Sequence, residues 1–142
     1  MSLSFIDVIK YVPFIPCRLD QIPHTMGFYL IFDANAEFIY VRKGYGDTRV
    51  QIHFNMTSEE EYFEDACFGL WFRVDNEDEA LAYEKAVYDV YVEEMKKPPK
   101  HNKKIPEGSH AQENSYYDLL ANNDWKGFLS NIREQYLFSK NY

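Results

Sequence analysis

No stretch of this sequence runs to about 18 consecutive apolar residues, the length a membrane-spanning helix needs, so a transmembrane helix is not expected. The amino terminus lacks the basic, apolar and small-residue order of a secretory signal. The expectation is an intracellular protein, in the cytoplasm or in the nucleoid or nucleus. Cysteine is scarce: Cys17 and Cys67 stand alone without metal-ligand spacing and read as reduced, partly buried thiols. Internal repeats and low-complexity tracts are missing. Basic charge is also short, with 15 Lys and Arg against 23 Asp and Glu, a formal net charge of -8. A nucleic-acid-binding surface is usually basic where it meets phosphate, so this balance weighs against such a partner. The deficit is local, however. Thr57 to Glu84 holds ten acidic residues and one arginine, Arg73, for a charge of -9, and the rest of the chain carries +1. Glu59 to Asp65 reads as a solvated acidic face.

What the sequence does hold is apolar and aromatic: 46% hydrophobic residues, 18% aromatic, over 142 positions. That suffices for one domain with a real core. Between Gly27 and His53 the pattern changes from strand to helix. Phe28, Leu30 and Phe32 recur with period two, as do Ile39 and Val41, which leaves Tyr29 and Tyr40 on the opposite, less apolar faces. Asp33 and Asn35 suit a hairpin turn between them. Asp47 is positioned to cap a following helix, on which Arg49 and His53 lie one turn apart.

These residues resemble the GIY-YIG nuclease family. Gly27-Phe28-Tyr29 stands in place of the first motif, Tyr40-Val41 in place of the second, and Arg49 with His53 where the family carries Arg and, often, His. Leu19 to Pro23 is similar to the approach to the first motif. Glu79-Ala80-Leu81-Ala82-Tyr83-Glu84 looks like the helix that bears the family's glutamate, and Pro99-Lys100-His101-Asn102 like the Pro-Lys-aromatic-Asn phrase after it. The chain departs from the pattern in two places: Arg42 stands where the second motif ends in glycine, and the gap between Glu84 and Asn102 is longer than usual.

Elsewhere the chain reads as follows. Ser4 through Val12 predicts a short helix, broken by Pro13 and Pro16, with an extended connector to Pro23. Cys67 to Val74, short and aromatic-rich, predicts a third strand. Asn76 and Glu79 make a capping-box spacing for a helix running to about Lys97, where Pro98 and Pro99 stop it. Residues 105–112 have linker composition. Helices are expected from Ser115 and from Asp124, the latter with a stripe of Trp125, Phe128, Leu129, Ile132 and Tyr136 that suits a core or a homodimer contact. The expected fold is therefore α+β: a three-stranded antiparallel sheet (27–33, 37–43, 67–74) with helices at 47–56 and 77–97 and further helices at both termini. By residue number the division is 1–23 helix and connector, 24–104 core, and 105–142 linker and helical extension.

Glu84 stands inside an apolar stripe formed by Ala80, Leu81, Val87 and Tyr88, so its carboxylate must be paired, protonated or metal-bound. The resemblance implies a metal-dependent DNA endonuclease in which Glu84 holds one Mg2+ or Mn2+ ion. It further implies Tyr29 as general base or water-orienting group, Arg49 binding phosphate or lowering the tyrosine's pKa, Tyr40 and His53 positioning phosphate and relaying protons, and Asn102 bracing the site. Arg42, Lys43, Lys97 and Lys100 are candidate substrate contacts, the lysines at 96, 97, 100, 103 and 104 forming the densest basic patch. Two other readings stand beside this one: a nucleic-acid-binding module that keeps the fold without hydrolysis, and a protein-interaction domain.

Overall fold

The computed structural model describes residues 11–15, 19, 22–54, 62–108 and 113–140. They form an α+β fold with a four-stranded antiparallel sheet and four helices. In chain order these are β1 (Tyr11–Phe14), β2 (Met26–Phe32), β3 (Phe38–Tyr45), α1 (Gly46–Phe54), β4 (Phe68–Arg73), α2 (Glu77–Met95), α3 (Glu113–Asn122) and α4 (Trp125–Lys140). The sheet order is β1-β4-β2-β3. No helix among the described residues is long and apolar enough to cross a membrane.

The three expected strands are present as β2, β3 and β4, and a fourth, β1, extends the sheet beside β4. Tyr11 and Val12, read as the end of a helix, and Pro13, read as its breaker, lie in β1, with Tyr11 opposite Phe72 and Pro13 opposite Leu70. A sheet tolerates proline on an edge strand, because its missing N–H removes a donor that an outer edge does not need. The rest of the expected helix, along with Cys17 and Glu59 to Glu61, lies outside the described residues.

Directly opposed residues share a sheet face, so the register sorts the side chains. Tyr29 opposes both Arg42 and Trp71, and Ile31 opposes Tyr40 and Gly69. This face packs with Phe14, Val50 of α1 and Phe63 into one core. Phe28, Leu30, Phe32, Val41, Leu70 and Phe72 face the other way, against α2, α3 and α4. Both faces are covered, so the tyrosine face is not the more polar one that simple alternation suggested. Phe28 is sandwiched between Phe72 and Tyr83, with ring centroids 4.6 and 5.0 Å away. A second correction concerns β3. Ile31 opposes Tyr40 but Phe32 opposes Phe38, leaving Ile39 as an extra residue at a bulge. The bulge turns Ile39 into the same core as Tyr40 instead of sharing a face with Val41.

Helix α2 starts at the Asn76 cap, whose side chain accepts from Glu79 N at 2.8 Å, and ends at Met95, with Lys96 in the left-handed region at φ 60°. Helix α1 begins one residue before Asp47, whose side chain lies outside the described residues. Asp124, at φ 55°, caps α4 by accepting from Gly127 N. The α4 stripe turns inward: Trp125 and Ile132 are buried, and Phe128, Leu129 and Tyr136 pack against the same core.

Candidate active site

The tyrosine face of the sheet carries a cluster built from three elements. Tyr29 comes from the centre of β2 and is wholly buried. Its hydroxyl lies 2.7 Å from His53 Nε2 on α1, also wholly buried. When Nε2 is unprotonated, the phenol donates and the imidazole accepts. Tyr40, from β3, completes the group: its ring centroid is 6.4 Å from that of Tyr29 and 4.9 Å from that of His53, edge-on. Burial pushes the Tyr29 hydroxyl well above the usual phenol range, Tyr40 adds to the rise, and Arg49 and Arg42 oppose it. Burial likewise raises Tyr40, against the pull of a hydrogen bond from Arg42. Both phenols are therefore neutral at pH 7, and a proton leaving Tyr29 would go to the imidazole that touches it.

Two arginines border this cluster. Arg42 follows Tyr40 on the same strand face, is exposed, and donates a hydrogen bond to the Tyr40 hydroxyl. Arg49, on α1, lies across Gly44, where an added Cβ would come 3.1 Å from its Cγ; Gly44 also sits at φ 151°. A side chain there would be strained and would push the arginine aside. The motif glycine Gly27 has a different purpose. A Cβ at that position would lie 2.2 Å from the Phe72 carbonyl oxygen and 2.5 Å from the Trp71 ring.

Glu84 and Asn102 reach the same strand from the outside, because β3 is an edge strand and its outward backbone groups need partners. Glu84 is buried at 7% exposure, and its Oε2 accepts from Lys43 N at 2.9 Å. Burial pushes its carboxyl up, while that hydrogen bond and the charges of Arg42 and Lys43 hold it down, with burial prevailing. Asn102 pairs with Val41 twice, accepting from its N–H and donating to its carbonyl, both at 3.0 Å. His101 N donates to Ile39 O at 2.9 Å. The loop after α2 is thus zipped along β3, and Glu84 takes the next outward N–H.

The sequence-derived candidates divide accordingly. Tyr29, Tyr40, Arg42, Arg49 and His53 meet on one face, and Glu84 stands at the adjoining edge within electrostatic reach of Tyr29, Tyr40 and Arg42. Asn102 braces β3 rather than entering the cluster. Lys43 points to the opposite face and pairs with Glu77 at 2.8 Å. Lys100 pairs with Asp65 at 2.6 Å, and Lys97 is exposed.

A metal ion is the one non-protein group this arrangement suggests. Among the described residues no three His, Cys, Asp or Glu side chains are grouped to share one. A single buried carboxylate with one oxygen on a backbone N–H suits a hard cation that keeps most of its waters and takes one protein oxygen. Glu84 is the residue that would hold it.

Phe63 and Asp65 carried no functional signal in the sequence, and His101 stood there only as the aromatic of the Pro-Lys-aromatic-Asn phrase. Phe63 stacks on His53 at 4.7 Å and meets Tyr40 edge-on at 4.9 Å. His101 stacks on the other face of Phe63 at 4.1 Å, its plane tilted by 7°. Asp65, read as part of a solvated face, accepts from His101 Nε2 at 2.7 Å as well as from Lys100. No family model, curated protein or solved structure matches this chain.

Proposed function

We propose that this chain is a metal-dependent endonuclease of the GIY-YIG type that hydrolyses DNA phosphodiester bonds. The observation that carries the reading is the convergence of Tyr29, Tyr40, Arg42, Arg49 and His53 from two strands and a helix, beside the buried carboxylate of Glu84. Phosphodiester hydrolysis needs a proton acceptor for the attacking water and positive charge against the phosphate. Tyr29 accepts the water's proton while passing its own to His53 Nε2, which avoids forming a free phenolate in a site that disfavours one. Arg42 and Arg49 hold the scissile phosphate. Tyr40, fixed by Arg42, orients it. Glu84 would hold Mg2+ or Mn2+, which when bound neutralises developing charge on the phosphate and leaving oxygen. Lysines 96, 97, 103 and 104, on the loop that follows α2, contact the DNA backbone.

In this reading Arg42 is an added phosphate clamp in place of a glycine. A second reading has a specific observation in its favour: Tyr29 and His53 are wholly buried and Arg42 is already engaged by Tyr40, as in a fold kept for nucleic-acid binding without hydrolysis. The two separate on a panel of linear, nicked, branched and supercoiled DNA incubated with Mg2+ or Mn2+ and then with excess EDTA. The nuclease reading expects strand cleavage that EDTA abolishes. Binding without cleavage on any substrate overturns it in favour of the second, and Arg42→Gly then asks whether this side chain closes the site.

A further inference from the structure

The catalytic pair of the proposed nuclease has no solvent exposure, and an ordered stack of rings leads from it toward the surface. From the core outward the order is Tyr29, His53, Phe63, His101. The hydroxyl of Tyr29 meets His53 at 2.7 Å, His53 stacks on Phe63 at 4.7 Å and 16°, and Phe63 stacks on His101 at 4.1 Å and 7°. Only the outermost ring is partly open, with 21% side-chain exposure. Phe63 is also the ring that closes over Tyr40, and its own N–H donates to His53 O at 3.0 Å.

This covering ring is not built into a helix or strand. It belongs to a turn, 62–66, that follows α1 and precedes β4. Outside the cluster, the turn is fastened to the body by Asp65, which bonds Lys100 Nζ at 2.6 Å and His101 Nε2 at 2.7 Å, both on the loop zipped to β3. Asp65 and Lys100 are partly or largely exposed, with side-chain exposures of 28% and 65%. An exposed ion pair contributes little to global stability. It can nevertheless set the population of a local opening, whose free energy is a fraction of the global one.

We propose that residues 62–66 are a cover over the Tyr29–Tyr40–His53 centre, clasped shut by Asp65 on Lys100 and His101, and that release of the clasp swings Phe63 away and admits a phosphodiester. The purpose assigned to the opening rests on the nuclease reading; the cover itself does not. Phe63 closes the centre in the state described here, and substrate phosphate, drawing Lys100 from Asp65, favours the open one. A ligand shifts such an equilibrium only through a difference in its contacts with the two states. Competition between phosphate and Asp65 for Lys100 supplies one.

The test is residue-resolved diethyl pyrocarbonate modification of the full chain, read by mass spectrometry without DNA or metal. Compared with the native chain, Asp65→Ala is expected to be modified at His53 about tenfold faster, as the local opening equilibrium shifts, and Lys100→Met to be modified faster by a smaller factor. Lys85→Ala, which removes the partly buried ion pair with Asp89 one turn on along α2, is the control and leaves the His53 rate unchanged. An unchanged His53 rate in both clasp variants overturns the proposal. So does a rise that only tracks a loss of global stability in urea. Because this readout needs no substrate, failure of the chain to cleave DNA counts against the nuclease reading alone.

Discussion

Tyr29 shows how two residues legible in the sequence meet through a contact that is not. Its period-two placement predicted proximity to Tyr40, but the closest polar contact is His53 Nε2, 24 positions away. Helical spacing put His53 on the face of Arg49, and the sequence joined that face to the tyrosines; the direct hydrogen bond between Tyr29 and His53 is what it did not specify. Tyr29→Phe removes one oxygen and keeps the ring, so the core is retained while the relay is cut. Metal-dependent cleavage is expected to fall by about 10²-fold or more, the usual scale of general acid–base assistance, in a protein that stays folded with a thermal midpoint lowered by the lost buried hydrogen bond. Full activity in this variant would remove the relay. Gly27 makes the opposite point, since its motif position suggests chemistry and its surroundings show packing. Gly27→Ala forces a methyl into the Trp71 ring and the Phe72 carbonyl. Urea unfolding should show a loss of about 1–3 kcal/mol, the typical cost of overpacking.

At the scale of elements, β2, β3, β4 and α2 were legible because each has a strong period and marked ends, as with the Asn76 cap. Strand β1 was not, because Pro13 signals a break in any element read alone and becomes acceptable only once the strand is known to lie at an edge. The bulge at Ile39 was illegible for a related reason: register belongs to a pair of strands, and a single strand's alternation cannot show an extra residue. Glu84 was half legible. Its place in an apolar stripe required a partner, and the partner proved to be the Lys43 N–H of the β3 edge. Asn102 belongs to the same edge. Asn102→Ala leaves the Val41 N–H and carbonyl without their protein partners, at a cost of about 1–3 kcal/mol by the scale for orphaned backbone groups. Amide hydrogen exchange at Val41 should accelerate in this variant while that of Leu30 and Leu70, in the central strands, changes only with global stability. Exchange at Val41 as slow as in the native chain would contradict the edge account.

For the whole molecule, the sheet is covered on both faces, α1 and the 62–66 turn on one side and α2, α3 and α4 on the other. The acidic run looked like a solvated face in the sequence. Its last carboxylate, Asp65, ties together segments 36 positions apart, and no local pattern reports such a contact. Against the push of partial burial, hydrogen bonds from Lys100 and His101 hold Asp65 below its ordinary value of 3.8. A lowered carboxyl pKa stabilises the fold above the unfolded value and loses that contribution as pH falls through the folded one. The native chain should therefore be more stable than Asp65→Ala at pH 6 to 7 in urea titrations, with the gap closing toward pH 3. A gap that widens on acidification would reverse the assigned direction.

The most direct test of the whole account is nicking of supercoiled DNA with Mn2+ by the native chain and by Glu84→Ala. The native chain is expected to nick the DNA, and the variant to lose at least about 10²-fold in rate, the scale of a removed charge-stabilising group, while remaining folded. Equal rates in the two proteins, or no nicking by the native chain, would contradict it.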